Sequence, residues 1–461
     1  MSADSSAQSL KKHVGHHCSE KLTRWFVNLW FYFRRKIPFP AVWPIIQPYL
    51  VFFAYVLLHP QVLKHVKLYK MLRRLWHEEL VYDIQRQITS PATLLFFTHS
   101  ESTNKDICLK LWKRRKHGKY STEDETRDID HLIEGWQFNQ RFAPTIYLGI
   151  APVREVSEDG KSMRRGRLIL MPTKRKLKQG VEYTLVMRQL PDKLRLDYLL
   201  FEGAFGTKAQ IEFLAREVAR MHGRLKKSPE DMGTFESIFA KSVLNTAVFY
   251  DALDQLAQNE NVNIDMYRPL GGSLVLASNS PKAKECFEQR YNSGHVRRCH
   301  GDLKATNLWI DPEKPILWGL MKSPQRLLAL DCVDFRPDFC HIDTLSDVAL
   351  LAVDLELRLT NLLDEDAGSQ LDMTSAKYFL SCYLDEVRQN NQDSWMLLAY
   401  YMLEKAMVCA YVSILFDKLP ELGKKYLDIA LMHAEHLEKL LGSHEPRAVS
   451  EDHLLETAAN Y

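Results

Sequence analysis

The sequence predicts an α+β fold in two lobes, a small strand-rich one followed by a larger helical one. Three observations predict it. Short apolar runs of strand character fall between residues 87 and 188, and helix-compatible segments dominate afterwards. A loop carrying a central carboxylate, residues 297–307, lies inside the helical half and runs straight into an apolar strand. Strands first and helices afterwards describes two lobes better than a doubly wound sheet, in which the two would alternate.

Size and composition are consistent with this. A chain of 461 residues is too long for one ordinary domain and suits two lobes with an appendage. An apolar fraction of 46% with 11% aromatics excludes disorder over most of the length, and 19 Gly with 19 Pro are too few for a fibrous chain. The formal charge of +3 does not suggest nucleic acid as a partner. That charge is uneven, because residues 1–80 hold twelve Lys and Arg against four Asp and Glu. The eight cysteines are scattered without a C-x-x-C pair, which reads as reduced thiols and a cytoplasmic setting. The first fifteen residues are polar, so no secretory signal peptide is expected.

In chain order, residues 1–79 form a basic, aromatic, helical appendage. Between Lys21 and Lys36, aromatics alternate with basic residues at helical spacing, as in a helix lying on a membrane surface. Residues 41–58 are strongly apolar but interrupted by Pro44, Gln47 and Pro48, and a spanning helix needs about 20 apolar residues. Three readings stay open: a buried helix packing on the folded body, an interfacial or re-entrant contact, and a span. A membrane-surface contact through residues 21–58, at the inner face, is therefore one expectation for partner and location.

Residues 80–190 make the first lobe. The runs 87–97 and 106–112, separated by the polar segment 98–105, have hairpin grammar. Lys110 is an isolated cation inside the second run and needs a partner wherever it is buried. Residues 124–142 are helix-compatible, with Glu134 the nearest acid to face the strand. Three more strand-like runs follow at 145–150, 167–171 and 182–188, and the charged stretches 155–165 and 173–180 read as solvated faces.

Residues 191–441 make the second lobe. Residues 210–226 carry an apolar stripe of Ile211, Leu214, Val218 and Met221, residues 233–292 are helical with a break near Pro269, and residues 375–441 are helical throughout. The tail 442–461 is polar and expected to be loose.

The loop carries the chemistry. Asp302 precedes Asn307 by five residues, a spacing at which the carboxylate accepts a hydroxyl proton while the amide holds a metal that bridges nucleotide phosphates. A second carboxylate, Asp331, closes the apolar run 327–331, and Asp334, Asp338, Asp343 and Asp347 follow. Asp347 opens an apolar helix and reads as a cap or first-turn acid. Asp334, Asp338 and Asp343 are either solvated loop acids or substrate-facing groups, with Asp343 the strongest candidate for the latter.

On these residues the chain resembles the aminoglycoside phosphotransferase-like kinases of the protein kinase-like superfamily. Segment 287–303, with His300-Gly301-Asp302, is the core of the match, and segments 138–148, 182–191, 330–335 and 342–350 follow colinearly. The similarity is closest to the kinase-like half of bacterial proteins that join such a domain to a P-loop ATPase. It implies a bilobal protein kinase-like fold, ATP and Mg2+ as cofactors, and phosphoryl transfer to a hydroxyl of a small molecule. Asp302 would be the base, His300 a brace for the loop, Asn307 and Asp331 the metal ligands, Lys110 the phosphate clamp with Glu134 its partner, and residues from Met187 to Gln189 the hinge against the adenine.

The departures are specific. Gly203-Ala204-Phe205-Gly206-Thr207-Lys208 lacks P-loop spacing, so no ATPase half is expected within these residues. The segment 98–104, which would cover the phosphates, has no glycine. Lys304 replaces the usual His of that subfamily, as in Ser/Thr protein kinases, where this lysine neutralises charge on the transferring group. Two alternatives to a small-molecule kinase stay open: a pseudokinase or nucleotide-sensing regulator at a membrane, suggested by the missing glycines, and a kinase of a lipid or glycolipid headgroup, suggested by the basic aromatic appendage.

Overall fold

An isolated sheet leaves unpaired amides and carbonyls along its edges, and the strand-rich lobe removes them by closing on itself. The computed structural model describes residues 80–442 except 90–92, 101–104, 113–128, 157–160, 171, 179–180, 261, 312–313, 317–320, 324, 334–336 and 364–374. Segment 1–79 and the tail 443–461, with the expectations made for them, lie outside the described residues.

Strands β1 (Leu80–Thr89), β2 (Thr93–Ser100), β3 (Lys105–Trp112), β4 (Tyr147–Val156), β5 (Ser162–Arg165) and β6 (Tyr183–Arg188) form a closed barrel in the order β1-β2-β3-β6-β4-β5. The β2–β3 pairing is the expected hairpin, with Leu95 opposite Lys110 and Thr98 opposite Ile107. Helix α1 (Ile129–Phe142) packs against β4 and places Leu132, Ile133 and Trp136 in the core of this lobe.

Three expectations are corrected here. The run 87–97 is not one strand but the end of β1 and the start of β2, which pair antiparallel with Thr89 opposite Leu94. The charged stretch 155–165 is not simply a solvated face: it contains β5, where Met163 and Arg165 are buried and Arg164 is exposed. A strand that turns only alternate residues inward looks polar when read as a run. Conversely, segment 167–171 supplies a single bridge from Ile169 to Ile150.

The second lobe is built from α2 (Leu196–Phe201), α3 (Lys208–Gly223), α4 (Phe235–Glu260), α5 (Pro269–Ser278) and α6 (Pro281–Asn292), then short strands, then helices again. Helix α3 starts with a capping box between Thr207 and Gln210, and Ile211, Leu214 and Val218 are buried as its stripe predicts. Pro269 does not break a helix but begins one, since its missing amide costs nothing in a first turn. Gly271 lets α5 lie close on α4; a Cβ there would stand 2.6 Å from both Thr246 Cγ2 and Tyr250 Oη.

The strands are β7 (Val296–Arg298), β8 (Leu308–Asp311), β9 (Lys314–Ile316), β10 (Met321–Ser323), β11 (Arg326–Ala329) and, after the one-turn α7 (Pro337–Cys340), β12 (His341–Asp343). Helices α8 (Thr344–Leu363), α9 (Ser375–Glu386), α10 (Gln392–Tyr411) and α11 (Pro420–Leu441) complete the lobe, with a π-helical segment, Val412–Asp417, between α10 and α11. Among the described residues one helical stretch, Gln392–Asp417, is long and apolar enough to cross a membrane, yet most of it is buried inside this lobe. It is the core helix that the other helices surround: Tyr400, Leu403, Ala406 and Met407 are each at most 1% exposed.

Candidate active site

The loop after β7 is assembled by hydrogen bonds that run from helix side chains to its backbone. Asp347, buried in the first turn of α8, accepts from the amides of His300 and Gly301, each at 2.9 Å. One face of α8 repeats the device two turns later, where Asp354 accepts from the Ala305 amide at 2.7 Å and from Arg358 Nε at 2.8 Å. Residues seven apart on a helix share a face, so one helix grips both ends of the loop.

Gly301 has φ +81°, a left-handed backbone that side chains disfavour, and a Cβ there would lie 2.7 Å from the Phe339 carbonyl oxygen.

The two residues expected as metal ligands converge through strand pairing. Asn307 ends the loop and opens β8, which pairs antiparallel with β11, Leu308 opposite Ala329. The Leu330 amide donates to the Asn307 carbonyl at 2.8 Å, and the Val333 amide donates to that of His300 at 2.9 Å. Asp331 therefore emerges beside Asn307. Its backbone is left-handed, φ +63°, and its amide donates to the Tyr147 hydroxyl at 2.8 Å, while the next amide, Cys332, donates to Asn139 Oδ1 at 3.1 Å. Strained backbone held by such bonds is common at functional sites.

His300 is fully buried beneath the loop. Its Nε2 bonds to the Leu330 carbonyl at 3.0 Å and its Nδ1 receives the Asp302 amide at 3.3 Å. A carbonyl requires a donor and an amide an acceptor, so the partners select the neutral Nε2–H tautomer. Burial lowers the imidazole pKa in the same sense, outweighing the neighbouring carboxylates.

Asp302 is partly exposed. Asn307 Nδ2 donates to its Oδ2 at 2.8 Å and to its carbonyl at 2.9 Å, and Lys304 Nζ lies 3.2 Å from Oδ2. The Asp302 charge beside it holds the Lys304 ammonium pKa well above its ordinary value.

Lys110 on β3 is buried, and its ammonium meets the Asp331 carboxylate, which is half-exposed. Desolvation pushes that carboxyl up, and the Lys110 charge and hydrogen bond outweigh it, so the group lies below its ordinary value. Glu134, the partner expected from the resemblance, is exposed on α1; the carboxylate found at Lys110 is Asp331.

The residues α1 turns inward are Leu132, Ile133, Trp136 and Asn139, so this helix reaches the site through Asn139. Met187 is buried at the end of β6, opposite Cys108, and Gln189 follows it with Oε1 buried and without a hydrogen-bond partner. Thr98, first residue of the segment expected to cover the phosphates, donates its hydroxyl to the Ile107 carbonyl at 2.9 Å inside the hairpin; residues 101–104 lie outside the described residues.

Among the later acids, Asp334 lies outside the described residues, and Asp343 faces no substrate. It is buried in a bidentate ion pair with Arg290 and accepts the Leu345 amide at 2.8 Å.

A strand-closed lobe bearing a buried lysine, joined to a helical lobe that presents an Asp/Asn loop and an aspartate at the end of the adjoining strand, decides the architecture. This is the protein kinase-like fold.

The chain resembles the aminoglycoside phosphotransferase-like kinases in it. No family profile matches the chain. Curated relatives include the uncharacterized proteins Rv2004c of Mycobacterium tuberculosis and Mb2027c of Mycobacterium bovis, each 24% identical over 316 residues, 66% of this chain and 52% of the relative. The chain thus spans about half the length of the curated relatives it matches. Among solved structures, choline kinase from Cryptosporidium parvum is 12% identical with a TM-score of 0.44, over 82% of this chain and 92% of the other. Ethanolamine kinase from Plasmodium vivax is 11% identical, TM-score 0.38, over 76% and 82%. A glucosamine kinase in complex with glucosamine, ADP and inorganic phosphate is 12% identical, TM-score 0.35, over 80% and 96%.

Several contributors were not named from the sequence as site residues: Asp354, Asn139, Tyr147 and His222. Asp354 carried a readable signal, an acid seven residues after Asp347 on an otherwise apolar helix face. The other three are recruited by tertiary packing.

Proposed function

We propose that this chain is an ATP- and Mg2+-dependent phosphotransferase acting on a hydroxyl group of a small molecule. The observation that carries the reading is the state of Asp302: a carboxylate at the surface of a cleft, oriented by Asn307 and neutralised on one side by Lys304, on a loop fixed by Asp347 and Asp354.

A carboxylate in that setting accepts the proton of a hydroxyl as it attacks, and its orientation is set before substrate arrives. Lys304 sits where it can offset charge developing beside that hydroxyl. Both Nδ2 hydrogens of Asn307 go to Asp302, which leaves Oδ1 as the oxygen this amide can offer a cation, and Asp331 supplies a half-exposed carboxylate next to it. A hard all-oxygen donor pair fits Mg2+. When bound, Mg2+ would offset the charge of the nucleotide phosphates. Lys110 would then exchange Asp331 for a phosphate oxygen, a role its buried stem and single accessible end allow.

The test is mass-spectrometric detection of products phosphorylated from isotopically labelled ATP by the wild type and by Asp302→Ala. Turnover retained in the variant would exclude Asp302 as the base.

A further inference from the structure

Resting on the phosphotransferase reading, the cavity beneath Asp302 carries a statement about the acceptor. It encloses about 330 Å³ and extends from the loop, at Gly301, Asp302 and Lys304, down between α4, α8, α10 and the π-helical segment. That volume lies within the range of about 300–1,000 Å³ typical of small-molecule sites.

Its charges are already balanced. Four carboxylates and four cations line it, and three of these carboxylates hold a cation of the same wall: Asp302 with Lys304, Asp354 with Arg358 and Glu404 with Lys405. Lys241 on α4 and Asp417 on the π-helical segment also line it and are opposite in sign. Glu404 is 4% exposed, and besides Lys405 at 3.1 Å its carboxylate accepts from Asn245 Nδ2 at 3.0 Å. Asn245 Oδ1 in turn accepts the Tyr411 hydroxyl at 3.1 Å. An ammonium entering beside Asp302, Asp354 or Glu404 would have to share a carboxylate that already holds a cation, and a charge desolvated without its own partner is strongly disfavoured. Hydroxyl groups carry no such requirement: carboxylate oxygens with spare lone pairs and amide hydrogens serve them as they stand. The remaining wall, with Phe339, Leu350, Val408 and Val412, offers apolar contact to carbon faces.

The wall next to α10 is shaped by the π-helical segment, a helix irregularity often found at functional sites. Gly423 on α11 permits it, since a Cβ there would fall 2.4 Å from Ile414 Cγ1 and 3.3 Å from the Ala410 carbonyl oxygen.

We infer that the acceptor is an uncharged polyhydroxylated compound, of the sugar or polyol class, held by the Glu404–Asn245 pair with its reacting hydroxyl at Asp302. A cationic amino alcohol or amino sugar does not fit.

The test incubates the full chain with labelled ATP, Mg2+ and an equimolar mixture of neutral hexoses, pentoses and polyols with choline, ethanolamine, glucosamine and kanamycin, and reads products by mass spectrometry. The expected products come from the neutral set. Glu404→Gln and Asn245→Leu should each raise KM for that acceptor about tenfold, a loss of about 1.4 kcal/mol, with ATP affinity retained. Val408→Trp, which fills the cavity without touching its charges, should block the acceptor and likewise spare ATP. Products from the amines alone would overturn this inference and leave phosphoryl transfer standing; no product from either class would overturn both.

Discussion

Lys110 and Asp331, 221 residues apart in sequence, meet in one ion pair that joins the barrel lobe to the helical lobe. The pair is asymmetric: the lysine is buried and the carboxylate half-exposed. Replacing Lys110 by Met therefore leaves a carboxylate that water can still reach, and the cost to stability should stay under about 1 kcal/mol. Nucleotide binding should suffer far more, by about tenfold or greater. Thermal unfolding and calorimetric titration with ATP and Mg2+ separate the two effects.

Asp302→Asn keeps the shape of the loop and removes the proton acceptor. Turnover should fall by about 10²–10⁴-fold while ATP binding stays within a factor of about three. Steady-state rates and nucleotide titration on the same preparation check this.

Asp347→Ala deprives two buried amides and His222 of their acceptor at once. Each unsatisfied buried donor costs about 1–3 kcal/mol, so the loss should exceed about 3 kcal/mol in urea unfolding. A metal does not account for this cluster. Cys299 lies near His222 and Asp347, but both nitrogens of His222 are in hydrogen bonds, to Tyr383 and Asp347, and burial keeps the Cys299 thiol well above its ordinary pKa. Added zinc should leave the unfolding midpoint unchanged.

The fold should weaken in mild acid. Burial lowers the imidazoles of His300, His295 and His341, so the unfolded chain takes up protons that the folded chain refuses. Stability is then fully present above the unfolded histidine value of about 6.5 and is lost as pH falls below it, by up to about 1.4 kcal/mol per pH unit for each such group. Denaturation midpoints measured from pH 7.5 to 5.5 should fall, and His300→Gln should flatten the slope. Protonation of His300 in the folded chain would also remove the acceptor for the Asp302 amide, and because burial lowers that imidazole, the loss of activity of the folded form should set in at lower pH than the first loss of stability.

Gly301→Ala tests the loop from its backbone. A left-handed φ and contact with the Phe339 carbonyl oxygen should together cost about 1–3 kcal/mol and displace Asp302, lowering turnover more than nucleotide affinity.

Much of this was legible in the linear chain. Apolar periodicity located the β2–β3 hairpin, α1, α3 and α8, because those patterns act over a few neighbouring residues. The spacing of Asp302 and Asn307 and the acid ending an apolar strand at Asp331 marked groups that the structure brings together, because a short loop and a strand end hold them at fixed separations. Closure of the barrel was hidden, since β5 is half charged and only pairing with β1 shows which side faces in. The choice of Asp331 over Glu134 as partner of Lys110, the burial of Asp343 against Arg290, and the service of Asn139 and Asp354 to the two site turns were hidden too. Each joins groups from different elements whose distance only packing sets. The sequence by itself thus determined the order of the lobes and several of the groups in the candidate site; the tertiary structure decided which charges meet and neutralise one another, because electrostatic pairing depends on proximity in space, and proximity here is made by a strand ladder and one helix face.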